Sequence, residues 1–216
     1  MSTPQWEHGK RVTLSHYAHK LYRKAEQFNH KFYLPLYFEQ MIGDKKEVKI
    51  ADLGAGIFCT IGSLWDTAKV RVYASDLLAD DFNKLLKEHN ITPLIPIEKQ
   101  DMEHLTYPNG MFDIVHCVNA IDHCSDPLSA LSEMYRVCKR GGWIYLRHYS
   151  NVGERQQYCG LHQWNIEFDG VDDCKFWNNG NRFMLGDLFK GFKTHLGREF
   201  AYEKKNMVIS IMQKPV

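Results

Sequence analysis

The chain has 216 residues, and its 27 Lys and Arg stand against 26 Asp and Glu, a formal net charge of +1. Hydrophobic residues make up 44% and charged residues 25%, a balance that suits a folded chain with a sizeable core and excludes a disordered, collagenous or coiled-coil whole. Nucleic-acid binders concentrate a basic excess on one face, so near-neutrality argues against nucleic acid as a partner. Lys10, Arg11, Lys20, Arg23, Lys24 and Lys31 read instead as a solvated helix face. No apolar run approaches the roughly 20 residues that cross a bilayer, and Met1 to Lys10 lacks the apolar core of a secretion signal. A cytoplasmic protein with no membrane partner is the expectation. Cys59, Cys117, Cys124, Cys138, Cys159 and Cys174 form no C-x-x-C pair, which predicts reduced thiols rather than a zinc knuckle or a disulfide frame.

The N-terminal 45 residues carry no strand signal. Leu14, Tyr17, Leu21, Tyr22, Ala25 and Phe28 recur at helical spacing over Val12 to Phe28. A second helical segment starts at Phe32, with Pro35 in its first turn, and ends near Gly43. Strands are then predicted at Val48 to Leu53, Val70 to Ala74, Leu94 to Glu98, Phe112 to Val118 and Trp143 to His148. A helix is expected over Asp80 to His89. A second follows the cap Asp126 and Pro127, carries Leu128, Leu131, Tyr135 and Cys138 on one face, and stops at Gly141 and Gly142. Such alternation builds a parallel sheet with helices on both faces. Leu196 to Tyr202 and Met207 to Met212 are close enough to form an antiparallel hairpin. The expected architecture is one α/β domain over 1–216, a doubly wound, mostly parallel seven-stranded sheet with an antiparallel last strand. Residues 1–45 form a helical cap, 46–150 a cofactor-binding core, 151–194 an insertion after strand five that covers the substrate, and 195–216 the hairpin.

The chemistry starts at Asp52-Leu53-Gly54-Ala55-Gly56, where the first strand ends. Glycines there allow a sharp turn and a ligand lying against the backbone. Asp76 ends the second strand, 20 residues past Gly56, where an acid can accept both hydroxyls of a ribose. A nucleoside cofactor is therefore expected at the carboxyl edge of the sheet. The dinucleotide pattern requires glycine at position 59, which is Cys59. Asp52 would repel a pyrophosphate and suits a cationic amino-acid moiety, as in S-adenosylmethionine (SAM).

In these residues the chain resembles the class I SAM-dependent methyltransferases. Asp52 to Phe58 match the family's acid and glycine motif, with Phe58 in place of the third glycine. Asp76, followed by Leu77, matches the ribose-binding acid. Asp101 and Met102 match the pair that holds adenine. Phe112 to Val115 match the fourth-strand motif, Asn119 follows where that strand opens over the cofactor, and Lys139 to Trp143 match the turn into strand five. The resemblance implies SAM as cofactor and Asp52, Gly54, Gly56, Asp76, Leu77, Asp101, Met102 and Asn119 as its binding residues. It spans about residues 46 to 150 and the closing hairpin.

Methyl transfer to a hydroxyl needs a group that takes a proton, and histidine titrates near neutrality. His123 follows the fourth strand, His148 ends the fifth, and His162 lies in the insertion; these are the candidate catalytic residues. No metal-binding spacing is visible, His16 and His19 being the nearest pair, so no metal is expected. Trp164, Phe168, Phe176 and Trp177 beside Asn165, Asp169, Asn178, Asn179 and Asn181 suggest a polyhydroxylated, saccharide-like small-molecule acceptor; packing as a small satellite core around an Asn179-Gly180 hairpin turn is the competing use of the same residues. The expected activity is O-methylation of a small molecule. A non-catalytic SAM-binding module and an NAD-dependent oxidoreductase are the alternatives, and the oligomeric state is open.

Overall fold

A computed structural model of the protein describes residues 4–24, 31–199 and 205–216. Helix α1 runs from Pro4 to Lys24. It starts earlier than the apolar periodicity implies, because Pro4 is pre-set for a first helical turn; the expected end at Phe28 lies outside the described residues. The second N-terminal segment is a 3-10 turn, Leu36–Phe38, that runs into the short helix α2, Glu39–Ile42, capped by Gly43 at a φ of +53°. Pro35 immediately precedes the 3-10 turn.

The core follows as β1 (Glu47–Leu53), β2 (Lys69–Asp76), α3 (Ala79–Glu88), β3 (Ile97–Lys99), β4 (Phe112–Val118), α4 (Pro127–Val137) and β5 (Cys138–Tyr149). The insertion holds α5 (Val152–Arg155), β6 (Asn165–Phe168), β7 (Cys174–Trp177), β8 (Arg182–Met184) and α6 (Leu185–Leu188). The chain closes with β9 (Lys193–Glu199) and β10 (Lys205–Gln213). One seven-stranded sheet has the order β3-β2-β1-β4-β5-β10-β9. β3 to β5 pair in parallel, and β10 lies antiparallel between β5 and β9. The predicted doubly wound sheet and terminal hairpin are present, and the order reverses between β1 and β4, where an α/β sheet opens a crevice beyond its carboxyl ends.

Several boundaries differ from the sequence reading. β9 starts at Lys193, not Leu196, and its expected end at Tyr202 lies outside the described residues. β3 is three residues long and starts at Ile97, not Leu94. β5 begins at Cys138, five residues before Trp143. Gly141 and Gly142 do not end α4; they lie inside the strand, where Gly141 takes a φ of +69° and the register with β4 shifts between Phe112 and Ile114. A Cβ at Gly142 would lie 2.9 Å from the Asp113 carbonyl oxygen, so the close strand approach admits only glycine. The insertion also builds a separate antiparallel sheet, β6-β7-β8, whose strands of three or four residues are too short to show alternation in the sequence.

β4 is buried along nearly its whole length, as a central parallel strand should be. One face of the sheet packs Leu53, Val115, Cys117 and Leu146 against Leu131, Met134 and Val137 of α4. The other packs Ile50, Ile114 and Tyr145 against Phe38, Met41 and Ile42. The Asp113 carboxylate at the amino end of β4 accepts from the Lys49 N–H at 2.9 Å and from the Lys139 ammonium at 2.8 Å, locking β1, β4 and β5 in register. All six cysteines are free thiols, five of them buried. Among the described residues no helix is long and apolar enough to cross a membrane.

α4 starts as the sequence predicts: the Asp126 side chain accepts from the Leu128 N–H at 3.0 Å and from the Ser129 hydroxyl at 2.6 Å, with Pro127 in the first turn. Asp126→Ala is expected to lower stability by about 1 kcal/mol. Urea unfolding checks this: the midpoint should fall with no change in slope.

Candidate active site

A cavity of about 420 Å³ lies beyond the carboxyl ends of β1, β2 and β4. Its floor is the turn after β1. Gly54 and Gly56 have φ of +69° and +72°, a region that side chains rarely adopt. A Cβ at Gly54 would come within 2.2 Å of the Ala120 Cβ, and one at Gly56 within 2.5 Å of the Tyr17 hydroxyl. The turn thus holds its backbone where a ligand can lie against it.

Asp76, Leu77, Asp101, Met102 and Asn119 all line this cavity with Gly54 and Gly56. Asp76 spans the crevice: one carboxylate oxygen accepts from the Gly56 N–H at 3.0 Å and the other from the Leu78 N–H at 2.9 Å. Burial pushes its pKa up, and those two N–H groups oppose the rise. The Asp101 carboxylate accepts from the Glu103 N–H at 2.9 Å and so shapes its own loop. Asn119 takes a φ of +51°, and its side-chain oxygen accepts from the Tyr149 N–H at 3.1 Å; the turn after β4 is thereby tied to the end of β5.

Asp52 lies elsewhere. Successive strand residues face opposite sides of a sheet, and Leu53 takes the side toward the cavity. The buried Asp52 carboxylate is 2.8 Å from His116 Nδ1, and His116 Nε2 is 3.0 Å from the Tyr37 hydroxyl. Asp52 is not among the cavity's lining residues, so the electrostatic argument drawn from it rests on other groups. Those groups are present. The walls carry the acids Asp76, Asp101 and Glu103 and, among the described residues, no Lys or Arg. Such a cavity suits a cationic ligand and opposes a pyrophosphate.

Two further walls were not visible as site residues in the sequence. Trp6, Thr13 and Tyr17 of α1 close one side, and Leu161 and Gln163 of the insertion another. Residues 6, 13 and 17 share one stripe of a helix, but their polarity is too mixed to mark it. Lys10 pairs with Asp81 at 2.7 Å and the Gln5 amide donates to the Tyr158 carbonyl at 2.8 Å, which ties α1 to both α3 and the insertion. Burial and then the Asp76 charge push the Tyr17 pKa up to about 12.

The three candidate histidines separate. His123 lines the cavity. His162 stands behind it, with ring centroids 4.9 Å apart. Both flank Asp122, whose Oδ2 accepts from His162 Nδ1 at 2.7 Å and lies 3.6 Å from His123 Nε2. Burial alone would raise the Asp122 pKa, but the His123, His162 and His148 imidazoles outweigh it and hold it down at about 2. Burial lowers the His123 pKa, against the opposing pull of Asp122. His148 is 2% exposed and does not line the cavity, and among the described residues neither of its ring nitrogens meets a hydrogen-bond partner.

The aromatic residues of the insertion pack inward. Trp164 and Phe176 are buried, Phe168 packs against the same core, and Phe183 stacks on Phe176 at 4.9 Å. The Asn165 side chain accepts from the Glu154 N–H and donates to the Tyr158 hydroxyl. Asn178 caps the turn through Gly180, accepting from the N–H groups of Gly180 and Asn181. Trp164, Phe168 and Phe176 therefore join the main core rather than a platform or a satellite core, and Asn178 closes a hairpin turn.

With its sheet order and this crevice, the molecule has the fold of a class I methyltransferase. Residues 51–146 match the family model described as "Methyltransferase domain", in line with the resemblance to the class I SAM-dependent methyltransferases. It is 25% identical to the sterol 24-C-methyltransferase of Neurospora crassa over 124 residues, 53% of this chain and 33% of that protein. It is 25% identical to the ubiquinone biosynthesis O-methyltransferase of Nitrosomonas europaea over 115 residues, 50% of this chain and 47% of that one. The matches thus span about a third to a half of the length of these relatives. A chain from the complex of the Haloferax volcanii Trm112 methyltransferase activator with a methyltransferase shares the fold, with a TM-score of 0.61 at 13% identity, covering 96% of this chain and 98% of that one. SAM is the cofactor of this family. The residues fit it: a glycine cradle without Cβ atoms, an acid at the end of β2 for a ribose, and acidic walls for a cation.

His148 gives the site a pH signature. Burial lowers its pKa from 6.5 to about 4. The folded chain keeps it neutral, while the unfolded chain takes up a proton once the pH falls below 6.5. The stability this group contributes is present above that pH and is lost as the pH falls toward 4, by up to about 1.4 kcal/mol per pH unit. In thermal unfolding followed from pH 7 to 4, His148→Gln should flatten the decline in Tm.

Proposed function

We propose that the chain transfers the methyl group of SAM to an oxygen nucleophile of a small molecule. The observation that carries this reading is the position of His123. It lines the same cavity as the cofactor residues and stands beside the buried Asp122 carboxylate, so a proton-accepting cluster borders the cofactor crevice. SAM, when bound, supplies an electrophilic methyl carbon on a sulfonium. Gly54 and Gly56 admit its amino-acid part, Asp76 takes the ribose hydroxyls, and Asp101 and Met102 hold the adenine. Asp122 keeps a negative charge next to the imidazoles and so favours a proton arriving on His123 as the acceptor hydroxyl loses it. α1, Leu161 and Gln163 keep bulk water from the reacting groups.

The named relatives include one carbon and one oxygen methyltransferase. Oxygen is favoured here because a carbon acceptor with its own leaving proton would still need the base, whereas a hydroxyl also needs the polar, acidic rim that Glu103, Ser125 and Gln163 provide. The inward packing of Trp164 and Phe176 leaves a saccharide without its aromatic platform, so a non-saccharide hydroxyl is the preferred acceptor.

Calorimetric titration with SAM and S-adenosylhomocysteine, on the wild type and on Asp76→Ala, tests the cofactor assignment. Micromolar binding that disappears in the variant is expected. Absence of SAM binding in the wild type would overturn the reading, and binding of NAD titrated alongside would return the chain to an oxidoreductase. Given an acceptor hydroxyl, His123→Ala should lower turnover by about 10²–10⁴-fold and leave SAM affinity unchanged.

A further inference from the structure

The geometry points to a divalent transition-metal site, zinc-like in its donor set, built by Asp122, His123 and His162 in the wall of the cavity. The donor atoms of these three side chains lie within 4.8 Å of one another. Asp122 Oδ2 is 2.7 Å from His162 Nδ1 and 3.6 Å from His123 Nε2. A tetrahedral ion with bonds of 2.0–2.1 Å sets neighbouring donors about 3.3 Å apart, a value between those two separations. Seating the ion requires the His162–Asp122 pair to open and the histidine rings to turn toward a common centre.

Two imidazoles and one carboxylate are the set that catalytic zinc and non-haem iron(II) sites use, with a further position left open. A second observation stands apart from the spacing. His123 Nε2 is buried and meets no hydrogen-bond partner among the described residues, and the same holds for both nitrogens of His148 beside it. Buried polar atoms are ordinarily satisfied, and a buried imidazole nitrogen beside a carboxylate is a donor available to an ion. An ion would engage His123 Nε2 directly. It would also replace the hydrogen bond between His162 Nδ1 and Asp122, the neutral imidazole then carrying its proton on Nε2.

The backbone is built for the purpose. Asp122 and His123 sit in the 3-10 turn after β4, and the Asp122 carbonyl accepts from the N–H groups of Gln163 and Trp164 at 2.9 and 3.2 Å. That contact fixes His162 against the turn although it is 40 residues away in sequence. Because His123 faces the cavity, the open position faces it too and would take an oxygen or sulfur donor of a small molecule. Resting on the methyl-transfer reading, this makes the acceptor a hydroxyl or thiol that coordinates the ion, and with the ion bound His123 is a ligand rather than the proton acceptor, the ion lowering the acceptor's pKa so that its proton leaves to solvent; the site itself does not depend on that reading.

The test uses the whole chain, stripped with a chelator and titrated with Co²⁺ alone in the absence of SAM. One Co²⁺ per chain is expected, with the visible d–d absorption of a four-coordinate site, displaced by Zn²⁺. His162→Ala and Asp122→Asn should each weaken binding more than about 100-fold, beyond what loss of an outer partner costs. His162→Cys should keep the stoichiometry and add a thiolate-to-cobalt charge-transfer band, which a loss of folding could not produce. His16→Gln, in the remote pair on α1, should leave the spectrum unchanged. Failure to bind Co²⁺ at stoichiometric protein, or binding that survives both His162→Ala and Asp122→Asn, would overturn the site. Since no SAM is present, that failure is separate from a failure of the cofactor titration: either result can fall while the other stands.

Discussion

The Asp122 carboxylate is 1% exposed, and a charge in that position is costly unless it is surrounded by partners. Its partners come from three separate parts of the chain: His123 in the same turn, His148 at the end of β5, and His162 in the insertion. The backbone of the same residue receives two N–H groups from 163 and 164. One residue therefore fastens the insertion to the carboxyl edge of the sheet and sets the shape of the cavity's far wall. Removing the carboxylate would leave His162 Nδ1 without its hydrogen-bond partner in the wall of the cavity, so the site and the attachment of the insertion depend on the same group.

The near wall depends on a different constraint. The reversal of strand order between β1 and β4 leaves a crevice, and the Gly54 to Gly56 turn keeps it open by placing no Cβ where Ala120 and Tyr17 approach. Asp76 bridges from β2 to this turn through the Gly56 N–H. Floor and ribose-binding acid are thus one hydrogen-bonded unit. α1 then lies across the opening, anchored at one side by Lys10 to Asp81 and at the other by Gln5 to Tyr158.

Acidic walls at one end and the histidines around a buried carboxylate at the other divide the cavity. The end near β2 and β3 holds Asp76 and Asp101 and suits a cation. The end beyond β4 holds His123 beside Asp122, a place for proton or metal chemistry. Asp52 takes no part on this side. With His116 and Tyr37 it forms a hydrogen-bonded chain on the opposite face, against Tyr145, whose ring stacks on both. A strand acid beside a glycine motif can thus stiffen the sheet beneath a site rather than touch the ligand.

The sequence by itself determined the parts that local chemistry specifies. Phe112 to Val118 is mostly apolar, as a central strand is, Asp126 and Pro127 start α4, and the glycines after β1 with Asp76 at the end of β2 define a nucleoside crevice. These signals are short in range, because a strand, a cap or a turn is encoded by neighbouring residues. Only the tertiary structure decided which face Asp52 takes, that α1 closes the cavity, and that the aromatic residues of the insertion turn inward. It also decided that two adjacent residues and a histidine 40 positions away share one carboxylate. Such groupings depend on how separate segments meet when the core is buried, and no spacing along the chain records that meeting.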